Sequence, residues 1–108
     1  MDFQIILCTC PQQEFAQNLA EKLVAEKLAA CVNIIPQILS IYRWQGVIEK
    51  APEFLLLIKT TASHYVAIEA LIQQLHPYNT PEIISLPVVQ GSSAYLTYLQ
   101  QNLREELL

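Results

Sequence analysis

Glycine is nearly absent from this 108-residue chain, which has only Gly46 and Gly91. A loop that cradles phosphates needs several glycines, so a nucleotide-binding loop of that kind is excluded. Charge is also scarce: Asp, Glu, Lys and Arg make up 15% of the residues, against roughly 25% in an average soluble chain. The six Lys and Arg are scattered and the net charge is −4. That excludes the basic footprint of a nucleic-acid binder and the basic amphipathic helix of a membrane-surface protein. No apolar run approaches membrane-spanning length, and the opening MDFQIILC carries an acid where a signal peptide needs positive charge. The three cysteines are odd in number and make no disulfide framework. Cys8 and Cys10 share a strand face, a geometry that disfavours a mutual disulfide. The expected setting is the cytoplasm, with no membrane or nucleic-acid partner. No Ser-His-Asp, Cys-His or paired-carboxylate arrangement stands at a useful spacing. The chain therefore reads as no enzyme, and no organic cofactor is indicated.

What is present is apolar patterning, at 53% of the residues. FQIILCT (3–9) reads as a buried strand before a proline. Pro11 suits a first helical position, with Cys10 as a mediocre cap. Phe15, Ala16, Leu19, Ala20, Leu23, Val24 and Leu28 then recur on one helical face. ACVNII (30–35) starts a second strand, which Pro36 marks as bulged or at an edge. Residues 38–44 continue it to Gly46, and EFLLLIKT (53–60) returns. Thr61 is expected to cap a second helix with Tyr65, Ile68, Leu71, Ile72 and Leu75 inward, stopped by His76-Pro77. PEIISLPVV (81–89) reads as a fourth strand, and Ser92 or Ser93 caps a last helix carrying Tyr95, Leu96, Leu99 and Leu103. The length suits one domain, residues 1–108. The order, strand-helix-strand-strand-helix-strand plus a C-terminal helix, predicts an α+β ferredoxin-like split βαβ sandwich with an extended hairpin. Right-handed crossovers put the two long helices on one face of a four-stranded antiparallel sheet.

The hairpin is too long for this sheet. Residues 31–46 span roughly 50 Å when extended, the first strand about 23 Å, and a chain of this length has a radius of gyration of about 13 Å. Its tip, SIYRWQG (40–46), holds the only Trp. An overhanging edge needs pairing, so Tyr42 and Trp44 are expected to be covered by another copy of the chain.

AACVN (29–33), SIYRWQG (40–46), E-x-LLLIKT (53–60), HPYNTPEI (76–83) and Gly-x-x-x-Tyr-Leu (91–96) together resemble the divalent-cation tolerance CutA family. The resemblance runs in order from Cys8-Thr9 to Leu99. It implies a ferredoxin-like subunit in a PII-like homotrimer, and binding of copper or other divalent cations. It also implies ligands: a Cys late in the first strand, matching Cys8, and two adjacent His before Pro-Tyr. The second of these matches His76, while Leu75 stands in place of the first. Tyr98 and Val47 replace the Trp and Lys usual in the family.

Cys8, Cys10, Cys31 and His76 offer the soft donors that suit copper or zinc. No CxxC pair or His pair is present, and Cys31 suits a small core position. Cys8 with His76 is the metal pair the resemblance selects, although in the split βαβ plan these two positions need not meet within one chain. Lys59 is the only charge in an apolar strand, with Glu53 six residues away on the same face. It is expected to pair with a carboxylate, Glu82 being one candidate. The second expected site is an intersubunit cleft lined by Lys59, His76, Tyr78, Glu82 and a neighbour's Tyr42 or Trp44. It would take a small anion or bind a partner protein if the chain were a PII-like sensor or scaffold. His64 reads as a solvated helix-start residue, and Arg43 as exposed or edge-pairing.

Overall fold

The computed structural model describes residues 2–105; the expected domain limits, 1 and 108, lie outside them. The elements are β1 (Phe3–Cys10), α1 (Gln13–Ala25), β2 (Cys31–Trp44), β3 (Val47–Thr61), α2 (Tyr65–Leu75, after a short turn Ala62–His64), β4 (Ile84–Pro87) and α3 (Ser93–Gln101). The four strands form one antiparallel sheet ordered β2-β3-β1-β4. This is the ferredoxin-like plan.

β1 runs one residue beyond its expected end, so Cys10 belongs to the strand. Pro11 therefore lies in a bend, and α1 starts at Gln13 with the extended Gln12 as a cap that makes no side-chain bond. The helix closes at Lys27, which has φ +58°. Lys27 N–H donates to the Val24 carbonyl and Leu28 N–H to the Leu23 carbonyl, both at 3.0 Å, the double bond of a Schellman end. Leu28 is thus buried just after the helix, while Val24, expected inward, is exposed.

Alternation along the strands sends Ile6, Cys8 and Cys10 of β1 and Leu56 and Ile58 of β3 into one core. Ala16, Leu19 and Leu23 of α1 and Ile68 and Ile72 of α2 pack against them. Cys8 stands opposite Leu56 and Cys10 opposite Phe54.

Three further expectations are corrected. Thr61 makes no helix-capping bond; its hydroxyl pairs with Ser63 Oγ at 3.0 Å and His64 Nδ1 at 2.6 Å. Leu75 is exposed rather than inward. The fourth strand shrinks to Ile84–Pro87, because Pro81 and Pro87 lack the N–H that would extend its ladder. Ser92 does cap α3, accepting from Tyr95 N–H at 3.2 Å; Leu103 lies past the end of that helix.

The hairpin is longer than its return strand suggested, since β3 begins at Val47. Gln45 (φ +49°) and Gly46 (φ +81°) make the tight turn, the two positive φ values of a type I′ hairpin. A bulge at Pro36-Gln37, with Gln37 at φ +58°, shifts the register between Ile35 and Ile38. The molecule measures 44 × 27 × 23 Å with a radius of gyration of 14.5 Å, above the roughly 13 Å of a compact chain this size. Its accessible surface is 7104 Å², against about 6,000 Å² for a compact monomer of this mass. Leu39, Ile41, Val47 and Ile48 on the overhang are each about 60% exposed.

Candidate functional site

The folding of β1 against α2 brings Cys8, Cys10 and His76 together. Their ligand atoms lie within 4.8 Å of one another, and all three residues are buried. The sequence left open whether Cys8 and His76 could meet within one chain; they do. Cys10 completes the group, and its signal was in the sequence: i, i+2 spacing from Cys8 on a strand puts both sulfurs on one face. All three cysteines are free thiols.

The pair shares a proton unequally. The hydrogen bond with Cys10 raises the Cys8 thiol pKa well above its ordinary range, and burial adds to the rise. The same bond lowers Cys10, against the effect of burial. The Cys8 S–H also has the Thr9 carbonyl as an acceptor at 3.8 Å, and the interaction of the two sulfurs raises one thiol while it lowers the other.

His76 is fixed by its partners. Its Nε2 lies 2.8 Å from the Thr9 carbonyl oxygen, and Nδ1 accepts from Tyr78 N–H at 3.1 Å. A carbonyl only accepts, so Nε2 carries the ring proton and Nδ1 the lone pair. Phe15 meets the ring edge-on, centroids 5.1 Å apart, and Tyr78 lies 4.8 Å away on a tilt. Both ring nitrogens thus have partners; a metal ion held by His76 would displace one of them, and the other would orient the ring, as is common for metal-bound imidazoles. Two sulfurs and one imidazole form a soft set, suited to Cu(I) or Zn(II) and poorly suited to Mg(II) or Ca(II).

Cys31 lies elsewhere. It is half-buried, with its sulfur 4.0 Å from Lys59 Nζ, so it is not the enclosed core residue expected. Among the described residues Lys59 pairs with no carboxylate, Glu82 included. Its ammonium donates to Asn33 Oδ1 and lies 5.9 Å from the Tyr95 ring centroid. The pairing missed Asn33 because that residue reaches Lys59 across the β2–β3 ladder, where Cys31 stands opposite Lys59. His64 is buried rather than solvated: in addition to Thr61, its Nε2 lies 2.7 Å from the Arg104 carbonyl.

A cleft of about 450 Å³ lies between the hairpin and the loop after α2, lined by Tyr42, Trp44, Glu53, Tyr78 and Glu82 among others. Within the single chain its lining differs from that of the expected intersubunit cleft in two ways. Lys59 and His76 are outside its lining, and Tyr42 and Trp44 reach it from the same chain. Glu53 was missed as a cleft residue, though it is buried and accepts from Tyr78 Oη at 2.9 Å. Burial, then the Glu53 carboxylate, pushes the Tyr78 hydroxyl up to about 12.

The family model described as CutA1 divalent ion tolerance protein matches residues 4–102. A divalent-cation tolerance protein CutA from Thermus thermophilus is 46% identical over 99 residues, covering 92% of this chain and 96% of that protein. Among solved structures, CutA1 from Oryza sativa superposes with a TM-score of 0.95 at 39% identity, covering 98% of this chain and 97% of that one. The periplasmic divalent cation tolerance protein CutA from Archaeoglobus fulgidus gives 0.90 at 35% identity, covering 93% and 97%.

Proposed function

Because the chain belongs to the CutA1 divalent ion tolerance family, we propose that it acts in metal tolerance by binding copper through Cys8, Cys10 and His76, as a cytoplasmic homotrimer rather than an enzyme. The observation that carries this reading is the meeting of three buried soft donors within 4.8 Å. Leu75, at the position of the other family histidine, is exposed, so the buried group draws on Cys10 instead. Cu(I) is satisfied by two or three soft donors, which makes it the better fit here than Cu(II).

Binding exchanges a proton for a metal ion. Thiol protons would leave as the ion is taken up, so both sulfurs would hold it as thiolates and Cu(I) would offset one of their two negative charges. His76 supplies the neutral donor, already oriented through Thr9. The hairpin supports the trimer: its overhanging apolar side chains are about 60% exposed in the single chain, and paired edges remove that hazard. Three free cysteines suit a reducing compartment, and no helix among the described residues is long and apolar enough to cross a membrane. A small-anion sensor is the weaker reading, since both charged groups lining the cleft, Glu53 and Glu82, are acidic.

Anaerobic titration with Cu(I) against a chromophoric chelator tests the proposal. One ion per chain is expected. Cys8→Ser, Cys10→Ser and His76→Ala should each weaken it by more than the roughly tenfold typical of losing an outer-shell partner, while Cys31→Ser leaves it unchanged. Uptake indifferent to all three site variants would refute the copper site.

A further inference from the structure

We propose that the cleft between the long hairpin and the loop after α2 is a binding site for a small organic cation of the quaternary-ammonium class. Three aromatic rings, Tyr42, Trp44 and Tyr78, and two carboxylates, Glu53 and Glu82, line its 450 Å³. That volume falls within the range of small-molecule sites, about 300–1,000 Å³.

Glu53 is the decisive residue. It is only 6% exposed, and burying a carboxylate is costly unless its charge is met. Its Oε2 accepts from Tyr78 Oη at 2.9 Å; Oε1 has no hydrogen bond among the described residues. No Lys, Arg or His among them forms an ion pair with it, for the one salt bridge there is Lys22–Glu26 on α1. Lys59 and Arg43 donate elsewhere, to Asn33 and to the Gly46 carbonyl. In the single chain the cleft therefore presents a buried carboxylate with no cation partner among the described residues.

The aromatic rings select the kind of cation. A hydrated inorganic ion gains little from ring faces, whereas an alkylammonium loses less water and is attracted to them, most strongly to Trp. An anion would meet two carboxylates and no ammonium or guanidinium in the lining. The soft metal donors Cys8, Cys10 and His76 are not part of the cleft lining, although Tyr78 borders both through its N–H on His76, so the cleft is tested on metal-free protein.

Choline and its neutral carbon isostere, in which a tert-butyl group replaces trimethylammonium, are the probes. Trp44 is the only tryptophan, so its emission in the intact assembled protein reports occupancy, with calorimetry as a second readout. Choline should change the emission saturably, and the isostere should bind at least about tenfold more weakly. Glu53→Gln should weaken choline by about tenfold or more. Glu82→Gln, at an exposed position that does not threaten folding, should weaken it by a smaller factor. Equal binding of choline and the isostere, no saturable response to choline, or unchanged affinity in both carboxamide variants would each overturn the proposal.

Discussion

Ile41→Ala is the substitution that best tests whether the overhanging hairpin is an assembly surface. In the strand, Ile41 shares a side with Leu39 and Arg43, opposite the side that sends Tyr42 and Trp44 to the cleft. Ile41 is 60% exposed and Leu39 62%. Full burial of such a side chain is worth about 1.5–3 kcal/mol. Covering the exposed 60% therefore contributes about 1–2 kcal/mol per subunit, or about 3–5 kcal/mol over three symmetric copies. On a monomer the same change would stay within about 0.5 kcal/mol, apart from a strand-propensity loss of up to about 1 kcal/mol. Concentration separates the two cases. If three chains unfold from one trimer, each tenfold rise in protein concentration stabilises the assembly by about 2.7 kcal/mol, and a propensity effect has no such dependence. The assay is denaturant unfolding of both proteins at two concentrations, with light scattering to read mass. The wild type should scatter as about 37 kDa, three times the 12.3 kDa chain. Ile41→Ala should dissociate at a concentration where the wild type stays assembled. Unfolding midpoints that do not move with concentration, or identical dissociation of the two proteins, would refute the reasoning.

Copper affinity should fall with pH in a characteristic way. Cys8 is raised and Cys10 lowered, so above the Cys10 pKa one thiol proton is displaced per Cu(I), and affinity drops about tenfold per pH unit. Below it two are displaced and the slope steepens to about a hundredfold; a flat profile in chelator competition would rule out thiolate ligation. Lys27→Gly should stabilise the protein by about 0.5–1 kcal/mol in denaturant titration, because relief of a left-handed side chain, about 1–2 kcal/mol, exceeds the added chain entropy of glycine. A loss of stability would show that Lys27 is held there by something stronger. Tyr78 has its folded pKa raised from about 10 to about 12. Its contribution is complete below about pH 10 and is lost as pH rises toward about 12, because the unfolded chain releases this proton while the folded chain still holds it. Tyr78→Phe should abolish the corresponding late step in tyrosinate absorbance, and persistence of that step would assign it to another tyrosine.

Much of the architecture was legible because it rests on local rules. The apolar positions of α1 follow helical spacing, while β1 and the apolar part of β3 are short continuous apolar runs, so length and the proline after β1 told helix from strand. The short β4 and the capping at Thr61 were less legible. Whether Pro81 limits a ladder, or a threonine hydroxyl turns to a histidine instead of a helix end, depends on what lies beside it in space. His64 shows this most clearly. Its sequence context is a polar helix start, yet Thr61 and the Arg104 carbonyl, 40 residues away, enclose it.

The candidate site divides along the same line. The sequence by itself determined that Cys8 and Cys10 share a face, since the period of a strand is two, and that His76 ends a helix, since proline follows it. It also determined that the hairpin overhangs, because chain length sets reach. Only the tertiary structure decided that His76 comes to the two sulfurs from 66 residues beyond Cys10, through Nε2–H on the Thr9 carbonyl. It also decided that Lys59 turns to Asn33 and leaves Glu53 buried beside Tyr78 with no cation partner among the described residues. Face and reach follow from the stereochemistry of neighbouring residues. Proximity follows from the register of β1 on β3 and the packing of α2 against them, which no short stretch of chain contains.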